Sequence, residues 1–126
     1  MSDSKIQIMV LDDEEIVGKR LKTALEKSAY DVEVFQDSRQ AVDRIAEKEF
    51  DIVVTDIRMD GIGGMTVLEH VLKKSARTKV IVITGYATVE LAREALTRGA
   101  FDFIAKPFMP DDLRKVIAKA VRELRR

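Results

Sequence analysis

Five side chains in this 126-residue sequence stand where chemistry is possible: Asp12, Asp13, Asp56, Thr84 and Lys106. Each sits at the end of a short apolar run. Ile6 to Leu11 (IQIMVL) leads into Asp12-Asp13, and Ile52 to Thr55 (IVVT) leads into Asp56. Val80 to Thr84 (VIVIT) closes on the threonine, and Phe101 to Ala105 (FDFIA) leads into Lys106. Brought together, three carboxylates repel one another unless a cation or protons intervene. The chain has no cysteine and one histidine, so the donors on offer are oxygens. Oxygen donors suit a hard ion, and Mg²⁺, with Mn²⁺ as a substitute, is the natural candidate. A carboxylate beside Mg²⁺, an ammonium and a hydroxyl are the parts phosphoryl transfer needs. The ion, Lys106 and Thr84 can each meet one oxygen of the transferred group, while Asp56 attacks in line to give an acyl phosphate.

Taken singly, each residue has a structural explanation. Aspartate ends strands and caps helices. Asp12 to Glu15 can serve as an acidic first helical turn. Thr84 is an ordinary strand residue, and Lys106-Pro107 reads as a strand running into a turn. The case depends on the elements that bring the five together.

Those elements are legible as an alternation. Besides the four runs above, Val32 to Phe35 is a fifth candidate strand. Runs that are nearly continuous in apolar residues fit parallel strands buried on both faces. Helical spacing lies between them. Ile16, Leu21, Ala24 and Leu25 form one expected inward face, and Ala41, Val42, Ile45 and Ala46 a second. Val67, Leu68, Val71 and Leu72 form a third; Val89, Leu91, Ala92, Ala95 and Leu96 a fourth. Leu113, Val116, Ile117, Ala120, Val121 and Leu124 form a fifth. Asp37 or Ser38, Thr88 and Pro110 fall at helix starts, and Gly99 at a helix stop. Five strand-helix units with short connections predict an α/β fold: a five-stranded parallel sheet in the flavodoxin-like order 2-1-3-4-5, doubly wound. In that order strands 1 and 3 are neighbours at the switch point, where ligands bind beyond the carboxyl ends. Asp12, Asp13 and Asp56 then crowd onto one rim.

Composition narrows the class. Lysine plus arginine and aspartate plus glutamate each total 22, so no global basic field invites nucleic acid or an anionic membrane. The start of the chain lacks the apolar run of a secretion signal, and no stretch is long enough to span a bilayer. The expectation is one cytoplasmic domain over residues 1–126, standing alone or forming the first part of a longer regulator.

The ordered set Asp12-Asp13, Asp56, Thr84 and Lys106-Pro107 resembles the receiver domains of two-component response regulators, and the likeness covers the chain from Ile6 to its last helix. The words VLDDEE, DIVVTDIRM, VIVITGYAT and GAFDFIAKPF agree with it. ITGYAT and FIAKPF are most similar to receivers of nitrogen-regulation-type transcription activators. The resemblance implies that Asp56 is the phosphoacceptor for a sensor histidine kinase or phosphotransfer protein. It implies a Mg²⁺ site made by Asp13, Asp56 and the backbone carbonyl of Arg58, with Asp12 ligating directly or through water. Lys106 pairs with the phosphoryl group, and Pro107 is expected to follow a cis peptide. Thr84 and Phe103 form a switch pair that alters the surface of helix 4, strand 5 and helix 5, which would meet an effector domain, a downstream protein or a second copy. Such a domain is a signalling phosphoacceptor, not an enzyme. It promotes its own phosphorylation and slow self-dephosphorylation.

Two positions stand out against the family pattern. Where receivers carry Met-Pro-Gly-Met-Asp-Gly, this chain has Met59-Asp60-Gly61-Ile62-Gly63-Gly64. Asp60 in place of proline adds charge near the site, and the glycines loosen the loop. Tyr86, two residues after Thr84, stands where receivers tune access of water to the phosphoryl group. His70, beside Glu69 and Lys73, reads as a solvated helix residue. Three other readings compete. One is a receiver-like interaction module that never takes phosphate. A haloacid-dehalogenase-type phosphatase would need an Asp-x-Asp word after strand 1 and a cap insertion. A flavodoxin-like cofactor binder would need an uncharged phosphate loop where Asp12 to Glu15 stand.

Overall fold

The computed structural model describes residues 5–58, 61–85 and 88–126. The two positions singled out as modulators, Asp60 and Tyr86, lie outside the described residues. Strands β1 (Gln7–Leu11), β2 (Asp31–Phe35), β3 (Ile52–Asp56), β4 (Lys79–Thr84) and β5 (Asp102–Ala105) alternate with helices α1 (Glu15–Glu26), α2 (Ser38–Glu47), α3 (Gly64–Lys74), α4 (Val89–Thr97) and α5 (Pro110–Leu124). All strand pairs are parallel, and the order is β2-β1-β3-β4-β5. The alternation read from the sequence is therefore the fold.

The sheet is apolar on both faces because helices cover both. Ile8, Val10, Ile52, Val54, Ile81 and Ile83 point to one side, where Leu21 and Leu25 of α1 and Leu113 and Ile117 of α5 meet them. Met9, Leu11, Val53, Val80 and Val82 point to the other, against α2, α3 and Ala95 of α4. The period-2 alternation of side chains divides each strand between the two cores.

Helix starts obey local chemistry. Asp37 accepts N–H bonds from Arg39 (2.7 Å) and Gln40 (3.4 Å) at the head of α2, and Thr88 accepts one from Leu91 (3.1 Å) at the head of α4. Pro110 opens α5. Gly99, with φ of +109°, comes just after α4 where a side chain would strain the backbone.

Three expected inward faces need correction. In α2, Ala41 and Ile45 are buried but Ala46 is exposed. Ile16 is 58% exposed, and Val89 and Leu96 are exposed as well. The buried residues of α1 are Gly18, Leu21 and Leu25, and at 100° per residue Ile16 lies about half a turn from that stripe. In α4 only Ala95 is fully buried. Val89 and Leu96, seven residues apart, share one side of the helix, about a third of a turn away from Ala95.

Candidate functional site

Register places the rim. Leu11 of β1 stands opposite Thr55 of β3, so Asp12 comes next beside Asp56. Thr84, the last residue of β4, stands opposite Ala105 of β5, and the Lys106 N–H donates to the Thr84 carbonyl at 2.7 Å. The residues taken from the ends of four apolar runs thus share one edge of the sheet.

Lys106 is the centre of the cluster. Its Nζ lies 2.8 Å from Asp56 Oδ2, 2.8 Å from Asp12 Oδ2 and 3.1 Å from Glu14 Oε1. Asp12 and Thr84 are fully buried, and Asp56 is nearly so. Asp13 and Glu14 are exposed at the mouth. The Lys106–Pro107 peptide is cis.

Backbone amides hold the carboxylates in place. The Glu14 N–H donates to Asp12 Oδ1 at 2.8 Å, and the Arg58 N–H donates to Asp56 Oδ1 at 3.1 Å. Asp12 Oδ2 is buried with no donor aligned on it as a hydrogen bond, although the Lys106 ammonium is within 2.8 Å. The approach is one of charge more than of directed bonding. Burial pushes the Asp12 carboxyl above its ordinary value. The Lys106 ammonium and the Glu14 N–H oppose that push without cancelling it. Burial alone would lower Lys106, but Asp12, Asp56 and Glu14 outweigh it and hold the ammonium above the usual lysine range. Lys106 therefore stays charged throughout the physiological range.

The same rim suits a cation. One carboxylate oxygen each from Asp12, Asp13 and Asp56 lies within 4.8 Å of the others. Among the described residues, Asp12, Asp13, Glu14 and Asp56 share this rim with one ammonium. Excess negative charge, a buried oxygen without an aligned donor and an all-oxygen donor set fit a hard divalent ion. Transition metals that favour thiolate or imidazole have no such donor here.

The remaining candidates lie around or away from this rim. Phe103 is half-buried on β5, packed against the core that includes Leu11, Val53 and Val82. Arg58 is exposed beyond β3. His70 is exposed on α3 beside Glu69, Lys73 and Arg98, away from the rim. A cavity of about 650 Å³ at the far end of the sheet, beside Phe101 and Arg122, is remote from these groups. A groove of about 420 Å³ adjoins the site, walled by Val17 and Leu21 of α1 and by Pro107 to Pro110.

Two contributors escaped the sequence reading. Glu14 is one of four acids in an apparent first turn, and nothing in its neighbourhood signals contact with a lysine 92 residues away. Ser38, weighed only as a helix cap, is buried and accepts the Ile62 N–H at 3.1 Å. It ties the loop before α3 to the start of α2. A buried polar residue needs such a partner, but sequence alone does not say where it lies.

Comparison with known proteins agrees with this fold. The family model of the response regulator receiver domain matches residues 8–118. The chain is 36% identical over 116 residues to the regulatory protein AtoC of Escherichia coli (strain K12), covering 92% of this chain and 25% of that protein. It is 37% identical over 125 residues to the C4-dicarboxylate transport transcriptional regulatory protein DctD of Pseudomonas aeruginosa, covering 98% of this chain and 27% of that one. The crystal structure of a CheY-like response regulator receiver domain protein from Methanospirillum hungatei JF-1 superposes with a TM-score of 0.92 at 30% identity, over 97% of this chain and 98% of that chain. By its fold, its acidic rim and these likenesses, the chain belongs to the response regulator receiver domain family of two-component systems. It is similar to the receivers of nitrogen-regulation-type activators, and it spans about a quarter of the length of AtoC and DctD.

Proposed function

We propose that this domain accepts a phosphoryl group on Asp56 from a histidine kinase or phosphotransfer protein and relays the change to a regulatory output. The observation that carries the reading is the Lys106 ammonium, 2.8 Å from Asp56 and 2.8 Å from Asp12 on one buried rim. An Asp56 oxygen forms a bond to phosphorus as the phosphorus–nitrogen bond of the donor phosphohistidine breaks. The electron pair of that bond returns to the imidazole, which takes up a proton. The product is an acyl phosphate. Asp13 and Asp56, with Asp12 directly or through water, would hold a divalent ion that when bound would supply charge neutralisation at a phosphoryl oxygen. Lys106 meets a second oxygen with a charge already in place. The Thr84 hydroxyl, on the neighbouring strand, is the donor for the third.

The Arg58 N–H on Asp56 Oδ1 fixes the carboxylate plane. That fixed geometry matters more than nucleophile strength in a loose transition state. Mg²⁺ is the ion best matched to few carboxylates and retained waters, with Mn²⁺ a working substitute. Arg58 adds its backbone carbonyl to the ligand set, and the domain promotes both its own phosphorylation and slow hydrolysis of the acyl phosphate. Thr84 and Phe103 carry the switch to α4, β5 and α5, where Val89 and Leu96 are exposed. That surface is offered to an effector domain, a downstream protein or a second copy, in the cytoplasm. Among the described residues no helix is long and apolar enough to cross a membrane. Residues 1–126 act as one unit of a longer regulator or alone.

Beryllofluoride with Mg²⁺ tests the reading as a phosphoryl mimic. Amide resonances of Thr84 and Phe103 are expected to move on its addition and to stay fixed in Asp56→Asn. Unmoved resonances in the wild type, with Mg²⁺ bound, would favour an interaction module that never takes phosphate.

A further inference from the structure

Glu14 occupies a place that its neighbours do not require. It is the N-cap residue of α1, yet its side chain accepts no N–H from that helix. Its carboxylate turns instead to Lys106, with Oε1 3.1 Å from Nζ. Its own N–H is held by Asp12 Oδ1 at 2.8 Å, which fixes the backbone from which the side chain reaches. An ammonium has three hydrogens to donate. Asp12, Asp56 and Glu14 all stand within 3.1 Å of it. Asp12 and Asp56 are buried, whereas the Glu14 side chain is 62% exposed. Glu14 is thus the partner that can let go of Lys106 without leaving a charge unsolvated.

We propose that Glu14 is a positioning residue that competes with the phosphoryl group for Lys106 and thereby shortens the life of phosphorylated Asp56. This rests on the phosphoacceptor reading above. A phosphoryl group on Asp56 brings new anionic oxygens to Lys106, whose aligned hydrogen bonds go to Asp56 and Glu14 while Asp12 meets it chiefly by charge. Glu14 holds one N–H donor and adds like charge beside the incoming anion. Glu14→Gln keeps the shape of the side chain and an acceptor oxygen but removes the charge, which weakens the hold on that donor.

The test uses Glu14→Gln, with Glu15→Gln as its control. Glu15→Gln changes the same charge one residue away, but the Glu15 carboxylate faces Lys19 at 3.3 Å and Gln36 at 3.3 Å. At saturating Mg²⁺, Glu14→Gln is expected to bind beryllofluoride about 3- to 5-fold more tightly and to lengthen acyl phosphate life by a like factor, the scale of a partly exposed ion pair. Glu15→Gln should match the wild type. In the unmodified protein, proton exchange at the Lys106 ammonium, tracked by ¹⁵N NMR, should quicken about 3-fold in Glu14→Gln. Equal shifts in the two variants, or unchanged ammonium exchange, would overturn the inference. A wild type that binds beryllofluoride while Glu14→Gln binds it equally overturns this inference alone. A wild type that binds none overturns the phosphoacceptor reading and the inference with it.

Discussion

Asp12 is the residue whose energetics are most exposed to test. Its carboxylate is fully buried beside Asp56, and the one ammonium near it is shared three ways. Without a cation that charge is a cost, because burial outweighs the partners it finds. Asp12→Asn keeps the shape and removes the charge. In metal-free buffer it is expected to raise unfolding stability by about 1 kcal/mol, read from urea melts. Adding Mg²⁺ should erase or reverse the gain, since the wild type then recovers the charge as ligand. A variant less stable than the wild type in metal-free buffer would show that the Lys106 contact dominates. At this scale the sequence is informative about identity and silent about environment. The acids, the threonine and the lysine are recognisable by their place after apolar runs. The burial of Asp12 and the reach of Glu14 are not, because both depend on the turn between β1 and α1 closing against a residue from the far end of the chain.

At the scale of elements, α3 and the β2–α2 edge carry separate predictions. The first residue of α3, Gly64, runs against the end of β3. A Cβ there would stand 2.3 Å from the Asp56 carbonyl oxygen and 2.6 Å from Ile57 Cα. Both are backbone atoms and cannot swing aside. Gly64→Ala is expected to cost about 2–3 kcal/mol of stability in denaturant melts, and to displace the peptide that carries Asp56. A cost near zero would mean that the loop before α3 absorbs the change. On the edge strand, Glu33 accepts Arg44 at 2.9 and 3.1 Å and Lys48 at 2.8 Å. The Arg44 guanidinium chiefly, against burial and with help from Lys48, pulls its carboxyl down to about 2 from an ordinary 4.5. A depressed carboxyl stabilises the fold above its unfolded value and loses that contribution as pH falls from about 5 towards 2. Glu33→Gln should therefore lower stability at neutral pH by about 1 kcal/mol, discounted for partial exposure, and flatten the acid limb of the stability curve. An unchanged acid limb would count against it. Helix and strand order are legible here because apolar period and turn chemistry agree. Ile16, Val89 and Leu96 mislead because an apolar residue at near-helical spacing carries no mark of which side the sheet lies on.

The whole molecule joins a rigid two-faced core to an over-charged rim. Binding of a cation to that rim in the folded state alone must appear as global stability. Mg²⁺ at a hundred times its Kd should add about 2.7 kcal/mol, which for a chain of this size raises the melting midpoint by roughly 10 °C. A chelator should reverse the shift, and Asp13→Asn should diminish it. A midpoint indifferent to Mg²⁺ would mean that the rim holds no such ion. The fold is legible at this scale because parallel strands buried on both faces write near-continuous apolar runs. Output partners are not, since the surface of α4, β5 and α5 has no residue pattern that specifies one occupant. AtoC and DctD are each about four times as long as the stretch they share with this chain, so their likeness bears on the receiver and leaves the output surface to be read by binding.

The central claim stands or falls on the acyl phosphate itself. Incubation with Mg²⁺ and acetyl phosphate, then intact-protein mass spectrometry and borohydride trapping of the modified carboxyl, is the direct measurement. One phosphoryl group per chain, trapped at Asp56, lost in Asp56→Asn and lost on chelation, is the predicted result. A modification that persists in Asp56→Asn, or its complete absence with Mg²⁺ bound, would contradict it.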